Sequence, residues 1–145
     1  AALGRKMGLR VAYAAAPFDA DRVQAVLPYL DFLILNAVEA DQLRAATGLG
    51  PDALPVRDVI VTLGADGATW FGADGAVDVA ALPVTPVDTT GAGDTFTGYV
   101  LAGLDQGQPM LQAMKQATKA AALMVTRRGT ADVIPDLVEV RGFRP

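Results

Sequence analysis

The chain has 145 residues, 52% of them hydrophobic, a net charge of −4, and neither His nor Cys. That length suits one domain with a sizeable core, in a composition too apolar for a disordered tail and too interrupted for a membrane span. Without His or Cys, a Ser-His-Asp triad, a cysteine nucleophile, a disulfide framework and the usual zinc site are excluded. Any chemistry falls to carboxylates, hydroxyls, backbone amides, Lys/Arg or a hard cation held by oxygen.

In chain order, the first residues resemble the tail of a helix, with Gly4 and Gly8 as stops, and Leu9 to Ala16 reads as a buried strand ending at Pro17. Residues 19–30 have an acidic, cap-like start and carry Val23, Val26, Leu27 and Leu30 at helical spacing. A short apolar run over 31–36 predicts a strand, and the helical stretch Ala37 to Thr47 stops at Gly48. Residues 58–63 predict another buried strand, ended by Gly64-Ala65-Asp66-Gly67. Segments 68–71 and 77–84 flank the turn Gly72-Ala73-Asp74-Gly75 and read as a meander near a sheet edge. Helices follow over 95–104 and about 109–125, the second closed by Arg127-Arg128-Gly129. Strands alternating with helices predict an α/β fold, a mostly parallel sheet with flanking helices, in one domain.

No basic run exceeds two residues, which argues against a nucleic-acid partner. Residues 1–8 lack the apolar core of a signal peptide. The expectation is a soluble, cytoplasmic protein with no membrane partner.

The chemistry concentrates in residues 88–96, Asp-Thr-Thr-Gly-Ala-Gly-Asp-Thr-Phe. Gly91 and Gly93 allow a tight turn that presents backbone amides, and the helix behind aims its positive dipole end at the same point, which suits an anion. Asp94 beside such a site could take the proton of a hydroxyl while the amides stabilise a transferring phosphoryl group. The plain alternative is a tight turn with Asp94 as a helix cap. The Walker loop is excluded because no Lys follows the glycines, and the dinucleotide fingerprint because Phe96 stands where it needs Gly.

Residues 88–96 resemble the signature of the ribokinase-like carbohydrate kinases of the phosphofructokinase-B type, and three further segments agree in order. Asn36-Ala37-Val38-Glu39 is similar to that family's NxxE motif. Thr62-Leu63-Gly64-Ala65-Asp66-Gly67 is similar to its nucleotide loop, and Val125 to Thr130 with Pro135 to its closing segment. The resemblance covers essentially the whole chain and implies a ribokinase-like fold and ATP-dependent transfer to a sugar hydroxyl. In that reading Asp94 is the base, and the amides of Gly91, Ala92, Gly93 and Asp94 form the anion hole. Glu39, with Asn36 nearby, organises Mg²⁺ through waters; read alone, the pair is a helix cap with a matching first-turn acid. Asn36, Thr62, Gly64 and Gly67 line the ATP site. Thr118 is placed with them on the adenine side, though ribokinases commonly have Asn there, a departure from the pattern. Asp88, Thr90 and the carbonyls of Met124 and Gly129 match a monovalent-cation (K⁺) site, but Val133 replaces a hydroxyl there. Lys119, Arg127 and Arg128 have two readings, phosphate contacts or solvated helix-end charges, and the second is the expectation.

Family members are much longer, and the match begins beyond their middle. The resemblance therefore implies a fragment lacking the N-terminal part and the lid, with apolar surface exposed where strands would pair and a homodimer as one outcome. Two rival expectations are a non-catalytic nucleotide-binding module and a nucleoside kinase.

Overall fold

The computed structural model describes residues 1–144, in two compact units: Ala1–Leu63 with Ala68–Asp78, and Gly64–Gly67 with the chain from Val79 onward. In the first unit α1 (Ala2–Lys6) precedes β1 (Ala12–Ala14), α2 (Ala20–Val26), β2 (Phe32–Asn36), α3 (Ala37–Thr47), β3 (Asp58–Thr62) and the strands β4 (Ala68–Gly72) and β5 (Gly75–Val79). These strands form one sheet in the order β1-β2-β3-β4-β5. β1, β2 and β3 run parallel, with Ala12 opposite Phe32 and Phe32 opposite Asp58, while β4 returns antiparallel to β3.

The parallel centre follows from the sequence. Phe32 to Leu35 and Asp58 to Val61 are buried throughout, as continuous apolar runs in a covered parallel sheet should be. Val23, Leu27, Leu33, Leu35, Leu43 and Val59 anchor the core of this unit. Asp31 and Asp58, at the starts of β2 and β3, are buried with partners: Asp31 accepts from Arg5 Nη1 and the Val11 amide, both at 2.8 Å. Asp58 accepts from Arg57 Nε and Trp70 Nε1, both at 2.9 Å.

Several boundaries differ from the sequence reading. The strand expected over 9–16 is only Ala12–Ala14 and is largely exposed, because β1 has a single strand neighbour and lies at the sheet edge. The helix expected over 19–30 ends at Val26 and continues as a 3₁₀ turn over Leu27–Tyr29, since Pro28 has no amide to extend the α ladder. The segment expected over 77–84 pairs only as far as Val79, ahead of Pro83 and Pro86.

The second unit opens with a 3₁₀ turn at Gly64–Asp66 and is built on α4 (Ala92–Asp105), α5 (Met110–Val125) and α6 (Leu137–Gly142). α4 begins three residues earlier than its residue preferences suggest, and α6 was not anticipated. α4 and α5 pack closely through small residues: a Cβ on Gly103 would lie 2.9 Å from the Ala113 Cβ. The C-terminal segment is fastened to both helices. The Tyr99 hydroxyl donates to the Pro135 carbonyl, and Lys119 Nζ donates to the Arg141 carbonyl at 3.2 Å. No helix among the described residues is long and apolar enough to cross a membrane.

Candidate active site

In the second unit, Gly91 is the residue that starts α4, in a left-handed conformation at φ 78°. That angle suits Gly, and a Cβ there would also lie 2.9 Å from Met124 Cε. The Ala92 amide closes on the Thr89 carbonyl at 3.2 Å, and the Thr95 amide on the Gly91 carbonyl at 2.9 Å. No side chain caps α4, so the amides of Gly93 and Asp94 are left at the head of the helix without an intrahelical acceptor. Gly93 and Asp94 are both exposed, and beyond the chain neighbours and the helix's own backbone no atom of the described residues lies within 4 Å of a Cβ placed on Gly93. Free amides, a positive dipole end and a solvent-facing carboxylate on one turn can receive an anion and accept a proton beside it.

The entry to this turn is equally defined. The amides of Val87 and Asp88 both donate to the Val125 carbonyl, at 2.7 and 3.2 Å. Asp88 accepts the Thr90 amide at 2.9 Å. Hydrogen bonding by Thr90, its amide foremost, holds the Asp88 carboxyl below its ordinary range against desolvation, with lesser help from the nearby Gly129 amide and Arg128 charge. Asp88, Thr90 and Gly129 are therefore gathered at one place. The fourth member of that set differs: the Met124 carbonyl accepts the Arg127 amide at 2.9 Å, and its buried side chain turns toward Gly91.

Thr118 lies elsewhere in its chemistry. It is 5% exposed, and its hydroxyl donates to the Met114 carbonyl at 2.9 Å, one turn back in α5. A buried hydroxyl committed to its own helix is a packing residue, so the adenine-side role expected of Thr118 is not carried further. Gly64 and Gly67 also diverge. Gly64 is exposed, with open space where a Cβ would be, whereas Gly67 is buried and a Cβ on it would lie 2.0 Å from the Val79 carbonyl oxygen. Gly67 is thus required by the crossing of two backbone segments.

In the first unit, Asn36 ends β2 and caps α3. Asn36 Oδ1 accepts the Glu39 amide at 2.9 Å, and Glu39 Oε2 accepts the Asn36 amide at 2.8 Å. This reciprocal box is the cap that the bare spacing allows. It uses one oxygen of Glu39 and leaves the other free. A single free carboxylate oxygen fits Mg²⁺, which keeps most of its waters and takes its remaining ligands from phosphates. Among the described residues no group of three or more acidic side chains is arranged to hold a metal alone. Thr62, at the end of β3, donates its hydroxyl to the Leu35 carbonyl at 3.4 Å.

Of the expected helix-end charges, Arg127 is paired rather than solvated. It meets Glu139 of α6 and also reaches the Val133 carbonyl at 3.4 Å. Sequence reasoning missed this clamp; the box formed by Asp136 and Glu139 was the one local signal that could have revealed α6.

Residues 2–137 match the pfkB family of carbohydrate kinases, and the chain belongs to that family. It is 33% identical over 151 aligned positions to deoxyribokinase of Salmonella typhi, covering 97% of this chain and 49% of the relative. Nucleoside kinase of Burkholderia thailandensis, solved in complex with inosine, superposes with a TM-score of 0.86 at 26% identity, covering 98% of this chain and 52% of that one. An E. coli protein described as a ribokinase II, solved with ATP and Mg²⁺, gives a TM-score of 0.81 at 27% identity, over 97% and 50% of the two chains. The fold is thus ribokinase-like, as the motifs implied. The chain spans about half the length, or less, of the curated relatives it matches.

Proposed function

We propose that this chain is the nucleotide-binding and catalytic part of a carbohydrate kinase that moves the γ-phosphoryl group of ATP to a sugar hydroxyl. The observation that carries the reading is the head of α4. An uncapped helix start held by left-handed Gly91 leaves the Gly93 and Asp94 amides free, with the Asp94 carboxylate exposed on the same turn.

In this reading the Asp94 carboxylate takes the proton of the acceptor hydroxyl as its oxygen attacks the γ-phosphorus. The bond from that phosphorus to the β,γ-bridging oxygen breaks, and ADP leaves with the electron pair. The amides of the Gly91–Asp94 turn stabilise charge on the moving phosphoryl oxygens. Glu39, oriented by its box with Asn36, would hold Mg²⁺ through water, and the bound ion would supply neutralisation of phosphate charge. Thr62 and the exposed backbone at Gly64 belong to the ATP side, and Gly67 shapes the loop from beneath. A monovalent-cation role falls on Asp88, Thr90 and the carbonyls of Met124 and Gly129. Val133 offers no side-chain oxygen, so the expected K⁺ dependence is weak, and exchange of K⁺ for Na⁺ during turnover measures it.

The test combines calorimetry of ATP–Mg²⁺ binding with mass spectrometry after incubation with ribose, deoxyribose and inosine. Binding retained and phosphorylated product lost in Asp94→Asn is the expected result. Near-normal product in that variant removes Asp94 as base. Binding with no product from any acceptor favours a non-catalytic nucleotide-binding module. Product from inosine alone favours a nucleoside kinase, a reading supported by the likeness to the inosine-bound enzyme.

A further inference from the structure

The run Gly-Ala-Asp-Gly-Ala occurs twice, at 64–68 and at 72–76, so two Asp-Gly pairs share the same immediate neighbours. Asp66 and Asp74 are both exposed, and Gly67 and Gly75 have nearly the same backbone angle, φ 105° and 108°. The surroundings of the two glycines differ. Gly67 is buried, and its amide donates to the Gly64 carbonyl at 3.2 Å. A Cβ placed on it would lie 2.0 Å from the Val79 carbonyl oxygen and 2.7 Å from the Ala81 nitrogen, so the segment 79–81 walls it in. Gly75 follows Ala73-Asp74, the two-residue connection from β4 to β5, and residues 73–78 are all exposed. Beyond its chain neighbours, no atom of the described residues lies within 4 Å of a Cβ placed on Gly75.

We propose that Asp74-Gly75 is a site of isoaspartate formation, and that the packing around Gly67 protects the identical Asp66-Gly67 pair. The chemistry is intramolecular. The glycine amide nitrogen attacks the protonated carboxyl carbon of the preceding aspartate; a C–N bond forms, and the carboxyl hydroxyl leaves with the amide hydrogen as water. The resulting five-membered succinimide takes up water at either carbonyl. Opening at the side-chain carbonyl restores aspartate. Opening at the backbone carbonyl leaves isoaspartate, in which the main chain runs through the side-chain methylene and the α-carboxylate is free. Closure needs the glycine amide to leave any acceptor and the peptide plane to rotate, which is a local opening. At Gly67 that opening must break the bond to Gly64 and displace the 79–81 backbone, whereas Gly75 turns in solvent at a loop tip. The product adds one carbon to a connection only two residues long. Its new α-carboxylate is of the class esterified by S-adenosylmethionine-dependent carboxyl methyltransferases, the methyl passing from the sulfonium sulfur to a carboxylate oxygen. Position 74 is thereby also a substrate for that repair chemistry.

The test ages the whole chain at physiological temperature and neutral pH in ¹⁸O-enriched water, in native buffer and in guanidinium, until the guanidinium sample carries label. Digestion with chymotrypsin in ordinary water cuts at Trp70 and Phe71, between the two copies, so mass spectrometry reads each alone. Each ring opening leaves one ¹⁸O. A purified isoaspartyl carboxyl methyltransferase with labelled S-adenosylmethionine counts the isoaspartate. In the native chain, both signals at 74–75 should exceed those at 66–67 by about tenfold. In guanidinium the two copies should come within about twofold of each other, because only the fold distinguishes them. Asp74→Glu, whose longer side chain closes a six-membered ring far more slowly, should remove most of the methyl acceptance of the aged native chain. Equal labelling of the two copies in the native chain overturns the proposal. An excess at 74–75 that persists undiminished in guanidinium overturns it too, since the fold then plays no part. So does an unlabelled 74–75 in the native chain, or methyl acceptance that survives Asp74→Glu.

Discussion

Arg127 closes on Glu139 with both terminal nitrogens, Nη2 to Oε1 at 2.6 Å and Nη1 to Oε2 at 3.5 Å. The pair is partly solvated, so its net effect is modest and screened by salt. It nevertheless joins the residues just after α5 to α6. The Arg127 bonds, then the Asp136 amide, hold the Glu139 carboxyl below its usual 4.5. A folded value below the unfolded one stabilises the fold above the unfolded pKa, and that stabilisation is lost as pH falls through the folded one. Glu139→Gln should therefore lower the melting temperature at pH 7 and flatten the acid limb below about pH 4.5. Melting curves from pH 7 downward measure both, and identical acid limbs for the two proteins would refute the linkage.

The two roles of Asn36 and Glu39 are separable. Asn36→Ala removes the cap of α3 and should cost about 1 kcal/mol, read by denaturant titration. Glu39→Gln keeps an oxygen for the Asn36 amide and should leave stability nearly unchanged. Because it removes the charge, it should weaken ATP binding in Mg²⁺ far more than in the absence of divalent cation. Equal weakening in the two conditions would count against a metal role for Glu39.

Gly64 and Gly67 share one loop but make opposite demands. Gly64→Ala meets open space and should cost only the strain of φ 62°, about 1–2 kcal/mol. Gly67→Ala drives a Cβ to 2.0 Å from a backbone oxygen and should cost well beyond about 3 kcal/mol, or prevent folding. Comparison of soluble yield and melting temperature for the two variants checks the ranking.

Trp70, the single tryptophan, donates from its indole to buried Asp58 and so reports on that carboxylate. Asp58→Ala leaves the indole and Arg57 without their partner and should destabilise by about 1–3 kcal/mol. Intrinsic fluorescence should shift even before unfolding begins. An unchanged emission maximum would mean that the indole bond does not persist in solution.

Local signals carried furthest in the sequence. α3 is bounded by Asn36 and Gly48, one residue beyond each end, with Glu39 at its third position, and its predicted and observed limits coincide. β2 and β3 were legible because burial on both faces makes an unbroken apolar run. The candidate anion site was legible for the same reason, since Gly91, Gly93 and Asp94 are adjacent in the chain. What escaped depends on distant partners. The exposed edge position of β1 depends on its having one strand neighbour. The early start of α4 is set by the turn at Gly91 rather than by the helix preference of Ala92 and Gly93. The burial of Thr95, Thr118 and Met124 arises only when α4 and α5 pack.

Gly91 and Gly93 look alike in the sequence yet answer to different requirements. Position 91 is constrained by the chain itself, through its angle and the methyl beneath it. Position 93 has open space for a side chain among the described residues, beyond its own helix. An alanine at 93 should therefore leave the melting temperature unchanged or raise it slightly, since a helix favours Ala over Gly, and any cost should show only in a titration with ATP. The same two-letter repeat thus holds one residue that folding can audit and another that only a guest molecule can.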